Sequence, residues 1–109
     1  MTTAYKVLGQ SAPSATTLTT LYTVPSSTSA IASTLAICNR DVSTTYRVAV
    51  RPAGVSIANQ HYIVYDGYLA ANDTILLTIG LSLAATDVVS VYAGSANTSF
   101  SLFGAEITA

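Results

Sequence analysis

Apolar and polar residues alternate along nearly the whole chain, and β-branched and aromatic side chains fill many of the alternating positions. Period two of this kind, bounded by Gly, Pro, Asn, Asp and Ser, predicts β-strands. Eight segments fit: 4–8, 16–24, 30–39, 44–51, 60–66, 74–81, 88–93 and 98–107. In the third, Ile31, Ser33, Leu35 and Ile37 are placed on one face and Ala32, Thr34, Ala36 and Cys38 on the other. In the fourth, Tyr46, Val48 and Val50 oppose Thr45, Arg47, Ala49 and Arg51. The turn chemistry of Asn39-Arg40-Asp41-Val42-Ser43 between them predicts a hairpin. Asp66-Gly67 and Ala70-Ala71-Asn72-Asp73 read as further turns, and Ala53 to Gln60 has room for a single helical turn. Ile75, Leu77, Ile79 and Leu81 share one side of the sixth strand.

Seven to eight short strands at this spacing, with no helical period, predict an all-β, single-domain antiparallel β-sandwich or jelly roll. A small barrel is the competing architecture. No repeat or linker divides the chain, so residues 1–109 form one domain. The weakly patterned stretch 1–15 is a candidate extended arm.

Composition changes the picture in one respect. Half of the 109 residues are hydrophobic, mean hydropathy is +0.51, and only 8% are charged, where about 25% is usual. Sixteen Thr and thirteen Ser supply the polarity instead. A domain this short of charge covers itself with hydroxyls and aliphatics, and so risks apolar patches and exposed strand edges unless other chains cover them. The composition therefore predicts an assembly component that forms a homo-oligomer and docks on a larger structure. A net charge of -1 excludes nucleic-acid binding by phosphate neutralisation and attachment to a membrane surface by a basic patch. No signal peptide and no apolar run long enough for a membrane helix are visible.

Candidate chemistry is sparse. His61 is the only histidine and reads as a strand-surface or interface residue. Cys38 is the only cysteine and reads as a small core residue. Asp41, Asp66, Asp73 and Asp87 stand at predicted turns, where aspartate bonds nearby amides, and Glu106 lies apart from them. No catalytic constellation, metal set or phosphate loop emerges, so no enzyme activity, cofactor or metal is expected. Seven Tyr with no Trp are more informative, because Tyr62, Tyr65 and Tyr68 are dense enough for an aromatic surface. Tyr and Arg are favoured at interfaces, and Arg47 and Arg51 share one strand face. Arg47, Arg51, Tyr62, Tyr65 and Tyr68 are therefore the candidate interface residues.

Several runs resemble small bacteriophage virion proteins of the decoration (cement) and tail-accessory kind. They are Leu21-Tyr22-Thr23-Val24-Pro25, Ile37-Cys38-Asn39-Arg40, Tyr46-Arg47-Val48-Ala49-Val50-Arg51-Pro52-Ala53-Gly54, His61-Tyr62-Ile63-Val64-Tyr65-Asp66, Ala71-Asn72-Asp73-Thr74, the stretch from Leu83 to Ala93, and Phe103-Gly104-Ala105-Glu106-Ile107. The resemblance implies a β-sandwich or jelly-roll module made in the infected bacterial cytoplasm and built into a virion. It implies a capsid decoration protein bridging major capsid subunits, or alternatively a tail fibre, spike or baseplate component that binds a host surface glycan or protein. The implied partners are the major capsid protein or other virion proteins, with no nucleic acid and no membrane.

Overall fold

A computed structural model describes residues 1–108. Eight strands run β1 (Thr2–Ser11), β2 (Thr19–Thr23), β3 (Thr28–Asn39), β4 (Thr44–Arg51), β5 (Tyr62–Leu69), β6 (Thr74–Leu83), β7 (Val88–Ala93) and β8 (Thr98–Thr108). They form two four-stranded sheets, ordered β1-β8-β3-β6 (sheet A) and β2-β7-β4-β5 (sheet B). Every ladder is antiparallel. Strand β1 pairs with β8, β2 with β7, β3 with β6 and β4 with β5. The partners Thr2↔Thr108, Tyr22↔Val89, Ala36↔Leu76 and Val48↔Val64 are all centred between Val55 and Ile57. The chain is thus one long hairpin folded about that point and then wrapped, which is the jelly-roll arrangement of an eight-stranded sandwich.

Wrapping overturns one sequence expectation. Strands β3 and β4 are not a hairpin, because they lie in opposite sheets. The segment between them crosses from one sheet to the other around Asn39, a buried side chain whose Nδ2 donates to the carbonyls of Val42 (2.8 Å) and Ala70 (3.0 Å). Its Oδ1 accepts the Asp41 N–H. Sandwich corners leave backbone groups unpaired, and one amide side chain satisfies three of them here.

The core between the sheets is built from the alternating positions. Leu35, Ile37, Phe100 and Leu102 of sheet A meet Val48, Val89, Val91 and Leu69 of sheet B, all essentially inaccessible. Ile75, Leu77, Ile79 and Leu81 line the β6 flank of this core, half-buried. Strand β3 departs from the expected phase. Ala30 and Ala32 point inward at its start, while Ile31 points outward; beyond Ser33 the inward set becomes Leu35, Ile37 and Asn39. The register slips at Ser33 against β8, at Leu8 in β1, and opposite Ile79–Gly80 in β6. An extra residue in a strand flips the faces that follow it. The Ser33 hydroxyl donates to the Phe103 carbonyl at 3.2 Å, a partner for the interrupted ladder. The same phase turns Cys38 outward and half-buried, opposite Thr74 and Ser99, rather than into the core.

Residues 2–7 of β1 are exposed on both sides, and only β8 pairs with that strand. The stretch considered as an arm is therefore an edge strand of sheet A. Between β4 and β5 the chain turns at Pro52–Gly54, with Ala53 (φ 54°) and Gly54 (φ 69°) in the left-handed region, and makes one 3-10 turn at Asn59–His61, within the stretch where a single helical turn is expected.

Candidate functional site

The two outward faces of the sandwich differ in chemistry. On sheet B, Arg47 stands at the centre of β4 and points away from the core, directly opposite Tyr92 of β7. On its other side, β5 carries two residues, Tyr65 and Asp66, where regular pairing has room for one; the register resumes at Val64 and Gly67. The Asp66-Gly67 pair is thus a bulge inside β5 rather than a turn, with Asp66 in the left-handed region (φ 52°). Gly67 is required at this point. A Cβ there meets Val64 Cγ1 at 2.8 Å and the Tyr46 ring at 2.9 Å.

The bulge aims both extra residues at Arg47. Its guanidinium lies 4.1 Å from the Tyr65 ring centroid and 4.3 Å from that of Tyr92, and its Nε donates to Asp66 Oδ1 at 2.6 Å. A planar cation stacks well on aromatic faces. The bond to Asp66 holds the guanidinium still further above its already high range, so it stays charged at every practical pH. Tyr62 meets Tyr65 edge-on, with centroids 5.0 Å apart and planes at 89°. The result is a fixed aromatic platform with a paired charge at its centre. It offers flat apolar area and phenolic hydroxyls but no net charge.

All five candidate residues therefore stand on one face. Arg47, Tyr62 and Tyr65 form the cluster, and Tyr68 lies on the outward side opposite Thr45, 69% exposed. Arg51 shares the face but is engaged within the chain. Its Nε donates to Ser90 Oγ, and its Nη1 donates to the Gly54 and Val55 carbonyls. These bonds fix the β4–β5 connection over sheet B, where Ala49 and Ser90 are buried although their side chains point outward. His61 belongs to the same connection. It is buried, not on a strand surface, and its Nδ1 accepts the Ala58 N–H at 3.0 Å.

Sequence reasoning missed Tyr92 and Asp66 as members of the cluster. Tyr92 alternates with Val91 and Ala93 and so reads as outward, but its pairing with β4 is a long-range contact. A second group was missed altogether. Glu106 points between the sheets, where Tyr22 Oη donates to Oε2 at 2.6 Å and Lys6 Nζ lies 3.1 Å from Oε1. The bond from Tyr22, then that from Lys6, holds the Glu106 carboxyl below its ordinary range. Burial, then the bond to Glu106, pushes the Tyr22 phenol well above its own. Alternation contained the signal, since Phe100, Leu102, Gly104 and Glu106 share one side of β8.

The outward face of sheet A is nearly free of charge. Lys6 and Glu106, the only charges in its four strands, both turn to the inner side. What the face presents is hydroxyls together with Tyr5 (86% exposed), Ile31 (47%) and Leu76 (66%). Among the described residues, no three of His, Cys, Asp and Glu come together as a metal set. No family model, no curated protein and no solved structure matches the chain.

Proposed function

We propose that the protein is a non-enzymatic structural component of a bacteriophage particle, a capsid decoration protein that bridges and stabilises major capsid subunits. The observation that carries this reading is the pair of opposed faces. Large apolar and aromatic side chains stand in the open on both sheets, on a domain with almost no charge to solvate them. Contiguous exposed apolar surface marks interaction sites. The resemblance of the strand-and-turn runs to small virion proteins supplies the setting. In this reading the Arg47–Tyr65–Tyr92 platform is the contact to the capsid. Its rings are pre-positioned by stacking, so little side-chain freedom is lost on docking, and many weak joints add to a stable lattice.

Copy number in purified virions, measured by quantitative mass spectrometry against the major capsid protein, tests the proposal. A ratio near one is expected. A few to some tens of copies per particle removes the protein from the shell. The Tyr62, Tyr65 and Tyr68 surface then favours a second reading, a tail component whose aromatic platform stacks against a host surface glycan. Glycan binding lost in Tyr65→Ala is its test.

A further inference from the structure

We propose that the outward face of sheet A is the seat of a second copy of this chain, packed face to face about a two-fold axis. The argument begins with charge. At a two-fold interface the same patch meets itself, so each charge on it faces its own kind or needs a partner placed to match. The only charged side chains in the strands of sheet A, Lys6 and Glu106, are bonded to each other rather than left free on its outer side, whereas the outer side of sheet B keeps Arg47, Arg51 and Asp66. The hydroxyls that replace charge are donors and acceptors at once, and therefore match their own kind in either direction.

Area and shape agree. The four strands hold ten to twelve residues each. At about 4.8 Å between strands and about 3.3 Å per residue, the face offers roughly 650 Å² before side-chain relief. A standard stable interface takes about 800 Å² per partner. Relief is present. Tyr5, Ile31, Phe103 and Ile107 rim a shallow depression beside Ser33, where the bulge bends β3, with Lys6 at its margin on the edge strand. Sheets stack at about 10 Å with interdigitating side chains, and Ile31 and Leu76 project far enough to do so. Such a pair leaves its two Arg47 platforms directed away from each other, a bivalent bridge; this last consequence rests on the decoration reading, while the pairing does not.

Sedimentation velocity on the full chain from about 1 to about 100 µM, at and above the weak end of the range for interfaces of standard size, tests the pairing. A dimer is expected, with its Kd raised at least 100-fold by Ile31→Glu, which sets one carboxylate per copy on the desolvated face, and about tenfold by Tyr5→Ser. Circular dichroism shows whether each variant is folded, and Tyr5, standing open on the edge strand, keeps the test valid if Ile31→Glu is not. A monomer throughout, any species larger than a dimer, or a dimer that neither variant weakens overturns the pairing. Co-sedimentation with virions lacking the protein separates this from the capsid reading. A wild-type dimer that does not bind virions ends the capsid reading and leaves the pairing standing. A monomeric wild type whose virion binding Ile31→Glu abolishes gives the face to the capsid and ends the pairing.

Discussion

Replacing Tyr22 by Phe removes one hydroxyl from the most polar point between the sheets, and its cost should depend on pH. The Tyr22 Oη donates to Glu106 at 2.6 Å, with Tyr22 buried and Glu106 mostly so. A hydrogen bond to a charged group contributes about 1.5–3 kcal/mol, and Lys6 remains to satisfy the carboxylate, so the lower end applies. A loss of about 1.5 kcal/mol lowers the Tm of a domain this size by roughly 6 °C at pH 7. Because the bond from Tyr22 is the main reason the Glu106 carboxyl lies below its ordinary 4.5, its stabilisation is present above that value. It is lost as the pH falls through the lower folded value. Once Glu106 is protonated the bond is between neutral groups and roughly half as strong. Urea unfolding of wild type and Tyr22→Phe at pH 7 and at pH 2.5 measures the difference directly. An equal penalty at both pH values, or none at pH 7, refutes the coupling between the phenol and the carboxylate.

Three further outcomes follow from the geometry. Gly67→Ala places a methyl against Val64 and the Tyr46 ring and should cost about 1–3 kcal/mol in urea melts, while loosening the bulge that carries Asp66 to Arg47. Asp87→Ala removes the acceptor of the Ala53 and Ala84 amides, each at 2.9 Å; hydrogen exchange at both amides should accelerate at least tenfold, for a global loss near 1 kcal/mol. Phe100→Ala, in the centre of the core, should cost about 3–5 kcal/mol by thermal or chemical unfolding, a large part of the stability of a domain this size.

Strand positions were legible because alternation is a local signal. The bounds of β4 and β7 coincide with the expected ones, and the others differ by a few residues at their ends. Phase was legible only up to a bulge. Nothing in Ala30 to Asn39 announces that Ser33 is an extra residue, since the reason lies in β8, at the Phe103 carbonyl. The same holds for Asp66-Gly67, whose composition suits a turn but whose surroundings, Tyr46 and Val64, make it a bulge. Strand order was not legible at all, so the expected β3–β4 hairpin failed. Of the platform, Tyr62 and Tyr65 could be named from density along one strand and Arg47 from its residue type and strand face. Tyr92 could not, because it meets Arg47 across a ladder between residues more than forty apart in sequence.

Topology also explains why no short motif marks the faces. In the wrapped hairpin each sheet takes its strands from distant parts of the chain, so a face is assembled from β1, β3, β6 and β8 or from β2, β4, β5 and β7. A nearly charge-free face on sheet A therefore required the same choice in four separate segments. Strands β3 and β6 contain no charged residue, and the single charges of β1 and β8, Lys6 and Glu106, are paired on the inner side. That placement has a second effect. An exposed edge strand invites pairing with another chain, and an inward-pointing charge and a bulge are two ways to discourage it. Strand β1 is such an edge and carries both, Lys6 and the slip at Leu8. Edge pairing through β1 is thereby disfavoured, while the proposed face-to-face contact, which closes after two copies, is left open. On the proposed pairing, the scarcity of charge and the position of the few charges present work toward the same result, contact through a face rather than through the β1 edge.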